Sequence, residues 1–441
     1  MASSESTAPT LRTPLYAAHV AAGARMVPFA GYDMPVQYPT GILTEHKWTR
    51  ESAGLFDVSH MGQAFLLGPD HATTARAIEA LCPADILNLA PGKQRYSQLL
   101  NAEGGILDDL MVTRPSSPSE DGALMLVVNA ACKEQDFAHI AANLPANVRL
   151  MRADHRALVA LQGPKAAEVL AKHCPDTATM PFMAAKSTTF DRMPCHVSRS
   201  GYTGEDGYEI SINAKHVATL WDTLCAEQAV KPIGLGARDS LRLEAGLCLY
   251  GHDIDTTTSP VEGALVWSMQ KRRREEGGFP GAARIQRELK DGPSRVRVGI
   301  LPEGRQPARE GSEIHAAGRK IGVVTSGGFG PTLNGPLAMG MVEAEFAALG
   351  TELTLVVRDK PLPAKITVKV PAGATLFVDE KKNGSSEAVR TFTTPPLPAG
   401  REFAYNFKVE TVRNGMPESI SQKVAFRAGE QLTVDLTNLG K

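Results

Sequence analysis

Two adjacent carboxylates stand in an otherwise apolar segment, Ile106–Val112, which reads Ile-Leu-Asp-Asp-Leu-Met-Val. If this segment is a strand, alternation puts Asp108 on one face with Leu110 and puts Asp109 on the opposite face. A buried, unpaired carboxylate is costly, so each must be hydrogen-bonded or open to a pocket. The segment is a candidate for catalysis by a carboxylate, and an Asp that bonds nearby backbone amides is the alternative.

A glycine-rich segment, Ser200–Ile210, offers a second set of polar groups. Its glycines bracket Tyr202, Glu205 and Asp206 between two predicted strands. Such a loop can bring backbone and carboxylate close to a flat ligand. An ordinary hairpin that carries polar side chains is the alternative.

A third segment, Gly234–Gly246, predicts a helix that begins near Ala237. One face of this helix would bury leucines, while another would present Arg238 and Asp239 near the N-terminal turn. The pattern fits a binding site, and it fits an ion-paired helix without a ligand equally well.

Other signatures of chemistry are weak or missing. His60 could be a general base, but no Ser or Cys nucleophile motif accompanies it, so a core or strand-end histidine is favoured. The sequence contains no phosphate-binding P-loop, no strand-linked G-x-G-x-x-G and no H-E-x-x-H. The six cysteines include no C-x-x-C pair. We therefore expect no metal site and predict reduced, mostly buried thiols in a reducing compartment.

The elements that position these residues can be predicted from periodicity. A helix is predicted over residues 40–54, with Thr40 as its N-cap. A hairpin is predicted from strands at 94–100 and 106–114, joined by the glycine-containing turn 101–105. The second strand of this hairpin carries both aspartates.

Further along the chain, strands and helices continue to mix. A strand is predicted over 124–128, followed by Asn129 as a helix cap and a helix over 130–144. The charge run Arg272–Glu276 is predicted to be a solvated turn or helix end. Because short hairpins recur among the helices, the expected fold class is α+β rather than a doubly wound parallel sheet.

Composition narrows the class of partner. The chain has 441 residues, and 47 Lys plus Arg oppose 48 Asp plus Glu, for a formal net charge of -1. No basic footprint for nucleic acid and no apolar run long enough for a membrane helix is found, so a small molecule or a protein is the expected partner. Residues 1–12 resemble neither a secretory signal nor a typical transit peptide and are predicted to be a disordered leader. A cytoplasmic location is expected, or the mitochondrial matrix if the source is eukaryotic.

The C-terminal third changes character. From Ser294 the helical pattern nearly disappears, which predicts a small antiparallel β domain. A second shift occurs near Ile366, after which strand-like pieces alternate with Asn-Gly and Pro-Pro turns. Residues 366–441 therefore predict an additional, independent β module.

Taken in order, these segments resemble the aminomethyltransferase family, the T-proteins of the glycine cleavage system. The resemblance covers about four fifths of the chain and is carried by several long motifs. They are Thr13–Tyr16, Gly23–Met26, Phe56–Met61, Gly104–Asp109, Val127–Asn129, Gly201–Glu205, Gly236–Ala245, Thr325–Gly327 and Lys360–Lys365.

The resemblance implies a transfer reaction that uses tetrahydrofolate as co-substrate. An aminomethyl group on the dihydrolipoyl arm of the H-protein loses ammonia, and its carbon becomes 5,10-methylenetetrahydrofolate. By resemblance Asp109 is the catalytic aspartate, and the folate site maps onto Tyr96, Asn129, Glu205, Arg238 and Asp239. A fixed carboxylate suits this chemistry because a cationic, iminium-like species develops as ammonia leaves.

The resemblance also implies a domain organisation. The expected fold is a multi-domain cloverleaf, with the leader over 1–12, a folate-binding α+β region over 13–290 and a small C-terminal β-barrel over 291–365. The β module over 366–441 resembles PEGA-like β-sandwich repeats. In the family, a short aromatic and basic tail follows the Pro-Ala-Lys segment and helps to close the folate site, whereas here that segment continues directly into the β module.

Two other functions fit parts of the pattern. One is a folate-dependent demethylase domain, as in the sarcosine and dimethylglycine dehydrogenases, but the chain has no dinucleotide fingerprint for their flavoprotein region. The other is a catalytically degenerate folate-binding scaffold, resembling the relatives in iron–sulfur assembly. The cysteine-containing signature of those relatives is missing here, which favours the transferase.

Overall fold

The computed structural model describes residues 10–356, 365–371, 373–395, 397, 402–413 and 416–437. Residues 1–9 of the predicted leader and residues 360–364 of the last family motif lie outside the described residues. The chain divides into two compact units, one formed by Met1–Gly311 and Ile321–Glu352 and the other by Ser312–Lys320 and Leu353–Lys441. No helix among the described residues is long and apolar enough to cross a membrane.

Helices and strands alternate through the first unit, and strands dominate the second. The helices are α1 Tyr16–Ala21, α2 Ile42–Glu51, α3 His71–Glu79, α4 Lys133–Asn143, α5 Ala166–His173, α6 Ala214–Cys225, α7 Leu235–Glu244, α8 Lys271–Glu276 and α9 Ala282–Asp291. The strands are β1 Leu11–Arg12, β2 Arg25–Phe29, β3 Tyr32–Gln37, β4 Ala53–Asp57, β5 Gly62–Leu67, β6 Lys93–Leu100, β7 Ile106–Arg114, β8 Ala123–Val128, β9 Arg149–Arg152, β10 Arg156–Gln162, β11 Ala185–Phe190, β12 Met193–Ser198, β13 Gly207–Asn213, β14 Val230–Ile233, β15 Arg295–Ile300, β16 Glu313–Ala316, β17 Arg319–Gly330, β18 Gly335–Glu343, β19 Thr354–Val356, β20 Lys365–Lys369, β21 Thr375–Val378, β22 Lys381–Lys382, β23 Val389–Thr393, β24 Glu402–Arg413, β25 Met416–Arg427 and β26 Gln431–Asp435.

Two large sheets form the frame of the first unit. One has the strand order β11-β12-β13-β10-β4-β14, and the other has the order β6-β7-β8-β5-β9. Only the β4–β14 pair is parallel in the first of these sheets. The mixture of antiparallel sheets and packed helices confirms the α+β prediction. Leu11 and Arg12 fall within the predicted leader, yet they form a short strand that pairs with β3.

The predicted hairpin of β6 and β7 is confirmed, and its turn has a clear chemical basis. The side chain of Asn101 accepts hydrogen bonds from the backbone N–H groups of Glu103 and Gly105, at 3.1 and 2.8 Å. Gly104 has a φ of 78°, which a glycine adopts without strain. A Cβ on Gly105 would lie 1.8 Å from the carbonyl oxygen of Thr256, so only glycine fits there. The turn therefore fixes the register of the strand that carries both aspartates.

Two local predictions are wrong. Helix α2 begins at Ile42, and Gly41 rather than Thr40 precedes it, because the positive φ of 81° at Gly41 turns the chain into the helix. The charge run is not solvated throughout. Arg272 donates to Asp85 at 2.6 Å, and Arg273 is only 5% exposed and donates to the carbonyl oxygens of Glu79 and Cys82. Acidic and carbonyl partners on another part of the chain account for this burial.

The strands after Ser294 agree with the predicted β-rich region. In the first unit, β18 pairs with β15 and β17 in antiparallel fashion. Strand β15 lies at the edge of its sheet and pairs only with β18 among the described residues, so the predicted small β-barrel is not closed there.

The second unit has its own core. Besides the β16–β19 pair, it contains two sheets with the orders β23-β20-β26 and β22-β21-β24-β25. Both sheets contribute buried residues to one apolar cluster, including Ile366, Leu376, Phe407 and Phe426. Strands are therefore present after residue 366, in two sheets that share this cluster.

Candidate active site

Asp109 lies on β7 and has one hydrogen-bond partner on β6 and another directly after β8. The hydroxyl of Tyr96 on β6 donates to Asp109 Oδ2 at 2.9 Å, and Nδ2 of Asn129 donates to Asp109 Oδ1 at 2.6 Å. Strand register explains this geometry. Asp109 lies opposite Gln98, so Tyr96 is its diagonal neighbour, and Asn129 directly follows β8. The structure thus brings together three of the site residues that the family resemblance implied.

The environment of Asp109 disfavours its charge. Burial raises the pKa of Asp109 to about 7, the neighbouring charge of Asp108 adds to this, and the hydrogen bonds from Tyr96 and Asn129 oppose it. Burial and the Asp109 carboxylate likewise raise the pKa of Tyr96 well above its usual range, so Tyr96 stays a neutral donor. Asp109 can therefore gain or lose a proton near neutral pH, as groups at catalytic sites commonly do.

Asp108 lies on the opposite face of β7, as strand alternation predicted, and it is fully buried. It accepts two hydrogen bonds from Asn129, one from the backbone N–H at 3.0 Å and one from Nδ2 at 2.9 Å. The side-chain amide of Asn129 therefore joins both carboxylates. Asn129 is not a helix cap, because α4 begins only at Lys133, and its side chain is committed to the aspartates instead.

A second group of residues contains a half-buried arginine. The guanidinium of Arg238, on α7, lies 4.7 Å from the centre of the Tyr202 ring. Its Nη1 atom is buried and has no hydrogen-bond partner among the described residues. Burial lowers the pKa of Arg238, and the carboxylate of Glu209 opposes that shift. A buried N–H donor without a partner is the kind of group that a polar ligand satisfies.

Tyr202 connects this group with Asp109. Its hydroxyl donates to the carbonyl oxygen of Cys248. Burial raises the pKa of Tyr202, the Asp109 carboxylate raises it further, and Arg238 and Arg242 lower it. Tyr202 is therefore close enough to both Asp109 and Arg238 for their charges to shift its pKa.

Glu209 was missed by the sequence reasoning. It lies on β13, where Tyr208, Ile210 and Ile212 pack into the core on the other face. Burial raises the pKa of Glu209, and Arg238 lowers it. The signal was present in the sequence, because Glu209 alternates with apolar residues in a predicted strand.

Glu205 has a different set of contacts. It accepts from Arg50 at 3.0 Å, and Arg50 also donates to Glu244 at 3.2 Å. The nearby glycines pack closely on the protein, because a Cβ on Gly201 or Gly207 would lie within 2.5 Å of the buried Gln162 side chain. These two glycines therefore let the loop approach Gln162.

Asp239 is also placed apart from Asp109 by its contacts. Its side chain is 61% exposed and pairs at 2.8 Å with Arg242, which pairs in turn at 2.8 Å with the buried Asp253.

His60 is 3% exposed, and burial lowers its pKa to about 4, so it is a neutral histidine. This agrees with the predicted core position.

Trp267 was also missed. It lies in the short 3-10 helix Val266–Ser268 and stacks on Tyr96 with ring centres 5.3 Å apart and an interplanar angle of 18°. The residue is nevertheless 64% exposed. Trp267 covers one face of the tyrosine that donates to Asp109 and leaves its own outer face to solvent.

Comparison with known proteins decides the family. Residues 15–273 match the model of the GCVT N-terminal domain, and residues 295–372 match the glycine cleavage T-protein C-terminal barrel domain. The chain belongs to the glycine cleavage T-protein family. Both matches end before most of the second unit, and the PEGA-like character predicted for residues 366–441 has no support from them.

Relatives extend this family assignment. The chain is 47% identical over 365 residues to a protein named probable aminomethyltransferase, mitochondrial, of Schizosaccharomyces pombe, and 45% identical over 368 residues to the aminomethyltransferase, mitochondrial, of Gallus gallus. Each comparison covers 82% of this chain and 92% of the relative. Since both relatives are named mitochondrial, the cytoplasmic location expected from the leader is not supported.

A solved T-protein structure agrees with the fold. The glycine cleavage system aminomethyltransferase T from Bartonella henselae superposes with a TM-score of 0.73 at 43% sequence identity. The match covers 79% of this chain and 94% of that one. The family assignment therefore rests on sequence and on structure.

Proposed function

We propose that this chain transfers the carbon of an aminomethyl group to tetrahydrofolate. The donor is the aminomethyl group on the dihydrolipoyl arm of a glycine cleavage H-protein. The carbon–nitrogen and carbon–sulfur bonds of the donor break, and the carbon becomes bonded to two folate nitrogens. The two protons from these nitrogens leave with ammonia and the dihydrolipoyl thiol, giving 5,10-methylenetetrahydrofolate without an oxidant or a reductant.

Asp109 is the proposed catalytic residue, and its hydrogen-bonded position between Tyr96 and Asn129 is the observation that carries the proposal. A positive charge develops on the reacting carbon as ammonia leaves. A carboxylate held in place before the reaction stabilises that charge without reorganising. Tyr96 and Asn129 fix the orientation of the carboxylate. In this scheme Asp109 acts in its ionised form.

For the folate, we assign the pterin-facing carboxylate to Glu209 instead of Glu205. A pterin edge presents adjacent N–H donors, which one carboxylate accepts in pairs. Glu209 is half-buried and is electrostatically coupled to Arg238, whose Nη1 has no partner among the described residues, whereas Glu205 is occupied by Arg50. Arg238 would donate to an acceptor on the same ligand. Asp239 remains a weaker candidate for folate binding because its side chain pairs with Arg242.

The direct test is the formation of methylenetetrahydrofolate from tetrahydrofolate and aminomethylated H-protein. We expect the full chain to be active and Asp109→Asn to reduce kcat by about 100-fold to 1000-fold, the usual loss when one electrostatic contact to a transition state is removed. Asp154→Asn is the matched control, because Asp154 is exposed and its ion pair among the described residues is with Arg152 alone. An inactive wild-type chain, or an Asp109→Asn variant with normal turnover, would contradict the proposal.

Two further parts of the proposal concern location and organisation. The mitochondrial names of the relatives favour the matrix over the cytoplasm. We retain a folate-binding region over 13–290, a β domain over 291–365 and an accessory β module over 366–441, with catalysis assigned to the first of these regions because it contains Asp109, Tyr96 and Asn129.

A further inference from the structure

A third buried carboxylate lies behind the candidate active site. Asp136, on α4, is 1% exposed and lies within hydrogen-bonding reach of Asp108. Neither of its oxygens has another hydrogen-bond partner among the described residues. Two carboxylates within hydrogen-bonding reach of each other cannot both be ionised in a buried site, so one of the pair must hold a proton.

The hydrogen bonds decide which carboxylate holds that proton. Asp108 accepts two N–H groups from Asn129, and these stabilise its charged form. Asp136 accepts none, and burial together with the charge of Asp108 raises its pKa. Its position in the first turn of α4 favours a negative charge by only about 1 kcal/mol, which is less than the several kcal/mol that its burial costs. The proton therefore lies on Asp136, which donates to Asp108.

No cation competes for these carboxylates in the part of the chain that the structure describes. The titratable groups around the pair are Asp109, Cys132 and Tyr250. Burial and the nearby carboxylates raise the pKa of Cys132 to about 12, and burial raises the pKa of Tyr250, so both are neutral. The charge on Asp108 is thus balanced by hydrogen bonds alone.

We propose that Asp136 is a positioning residue for the transfer reaction. Protonated Asp136 donates a hydrogen bond to Asp108, which keeps Asp108 ionised and aligned to hold the Asn129 amide against Asp109. The inference rests on the proposed function, since Asp109 is the group being positioned. The proposal assigns a role to Asp108, the other aspartate of the Asp-Asp pair, on the buried face of β7. It also means that the charge of Asp108 contributes to the pH at which Asp109 ionises.

The test compares two replacements of nearly equal volume. Asp136→Asn retains an N–H donor toward Asp108 and cannot titrate, while Asp136→Leu removes the donor. In Asp136→Leu the buried Asp108 loses one donor to its charged form, which raises the pKa of Asp108, so its charge opposes the ionisation of Asp109 less. We expect kcat to fall by about tenfold or more, and the rising limb of the pH profile to move to lower pH by about half a unit or more. Asp136→Asn is expected to keep the limb of the wild type and most of its kcat.

Two results would overturn the proposal. One is an Asp136→Leu variant whose pH limb and kcat match those of the wild type, and the other is an Asp136→Asn variant as impaired as Asp136→Leu. If Asp136→Leu does not fold, Asp108→Asn tests the same electrostatics, because it removes the charge beside Asp109 with little change in volume. Its limb must also move to lower pH, and an unchanged limb would refute the inference. Failure of the proposed function is distinguished by the wild type, which would then form no methylenetetrahydrofolate.

Discussion

At the scale of the residue, strand alternation predicted most about Asp108 and Asp109. It placed them on opposite faces, and the structure confirms this with Asp108 buried and Asp109 beside Tyr96. Strand alternation also marks Glu209 as a candidate, but the choice between Glu205 and Glu209 could not be made from sequence alone. That choice depends on Arg50, which is distant in sequence and occupies Glu205 in space.

Replacement of Glu209 tests the choice between the two glutamates. Glu209→Gln should weaken tetrahydrofolate binding by about 10-fold to 100-fold, the loss expected when a charge-assisted pair becomes neutral. Glu205→Gln is the matched control and should change the dissociation constant less than about threefold. Isothermal titration calorimetry measures both, and a reversed order of the two effects would return the role to Glu205.

The raised pKa of Asp109 predicts a pH-dependent cost to stability. A group whose pKa is higher in the folded state adds stability below its unfolded pKa, and this is lost as the pH rises through the folded value. For Asp109 the window runs from its ordinary value of 3.8 to about 7. Asp109→Asn should therefore be more stable than the wild type at pH 8, by on the order of 2 kcal/mol, and lose this advantage near pH 4. Denaturant unfolding at both pH values measures the difference, and an equal difference at both would show that ionisation of Asp109 does not cause it.

At the scale of the element, the β6–β7 hairpin was predicted to within one residue at each end, because apolar alternation and the Asn-to-Gly turn point to the same structure. The predicted caps failed for a different reason. Both Thr40 and Asn129 have the right side chain for an N-cap, but backbone geometry at Gly41 and the two aspartates beside Asn129 determine where each helix begins. Side-chain propensity therefore located neither helix start, and for Asn129 the deciding contacts come from a different strand.

The turn of this hairpin is predicted to be intolerant of a side chain. Gly105→Ala would bring a methyl group against the carbonyl oxygen of Thr256, and backbone cannot move away cheaply. We expect a loss of about 2 kcal/mol or more in unfolding free energy, together with reduced transferase activity. Gly299→Ala is the control, since a Cβ there meets no atom within 4 Å. Thermal unfolding of both variants tests this, and equal melting temperatures would show that the turn can shift.

At the scale of the whole molecule, the change in sequence pattern near Ile366 marked strands that belong to a separate core. The family resemblance predicted a small β-barrel, and the described strands do not close into one. Closure depends on pairing between distant strands, which no local sequence pattern encodes. Two cores in two units imply that each can lose stability separately.

Phe407 tests the separate stability of the second unit. Its side chain is fully buried, so Phe407→Ala should cost that unit about 3–5 kcal/mol. We expect calorimetry of the full chain to show one transition moved to lower temperature, while tetrahydrofolate binding changes less than about twofold, as the proposed site lies in the first unit. If Phe407→Ala instead weakens folate binding at a temperature below that transition, the second unit is part of the functional enzyme.

The stacking of Trp267 on Tyr96 gives the protein a built-in optical probe. Of the three tryptophans, Trp221 is 4% exposed, and Trp48 is half-buried with a lysine ammonium 3.6 Å from its ring centre. A neutral collisional quencher such as acrylamide will therefore reach Trp267 first. A ligand that also covers the exposed face of this indole will shield it, so the quenching constant should fall in proportion to occupancy. Binding beside Asp109 can then be followed by fluorescence in the native chain, without a label and without turnover.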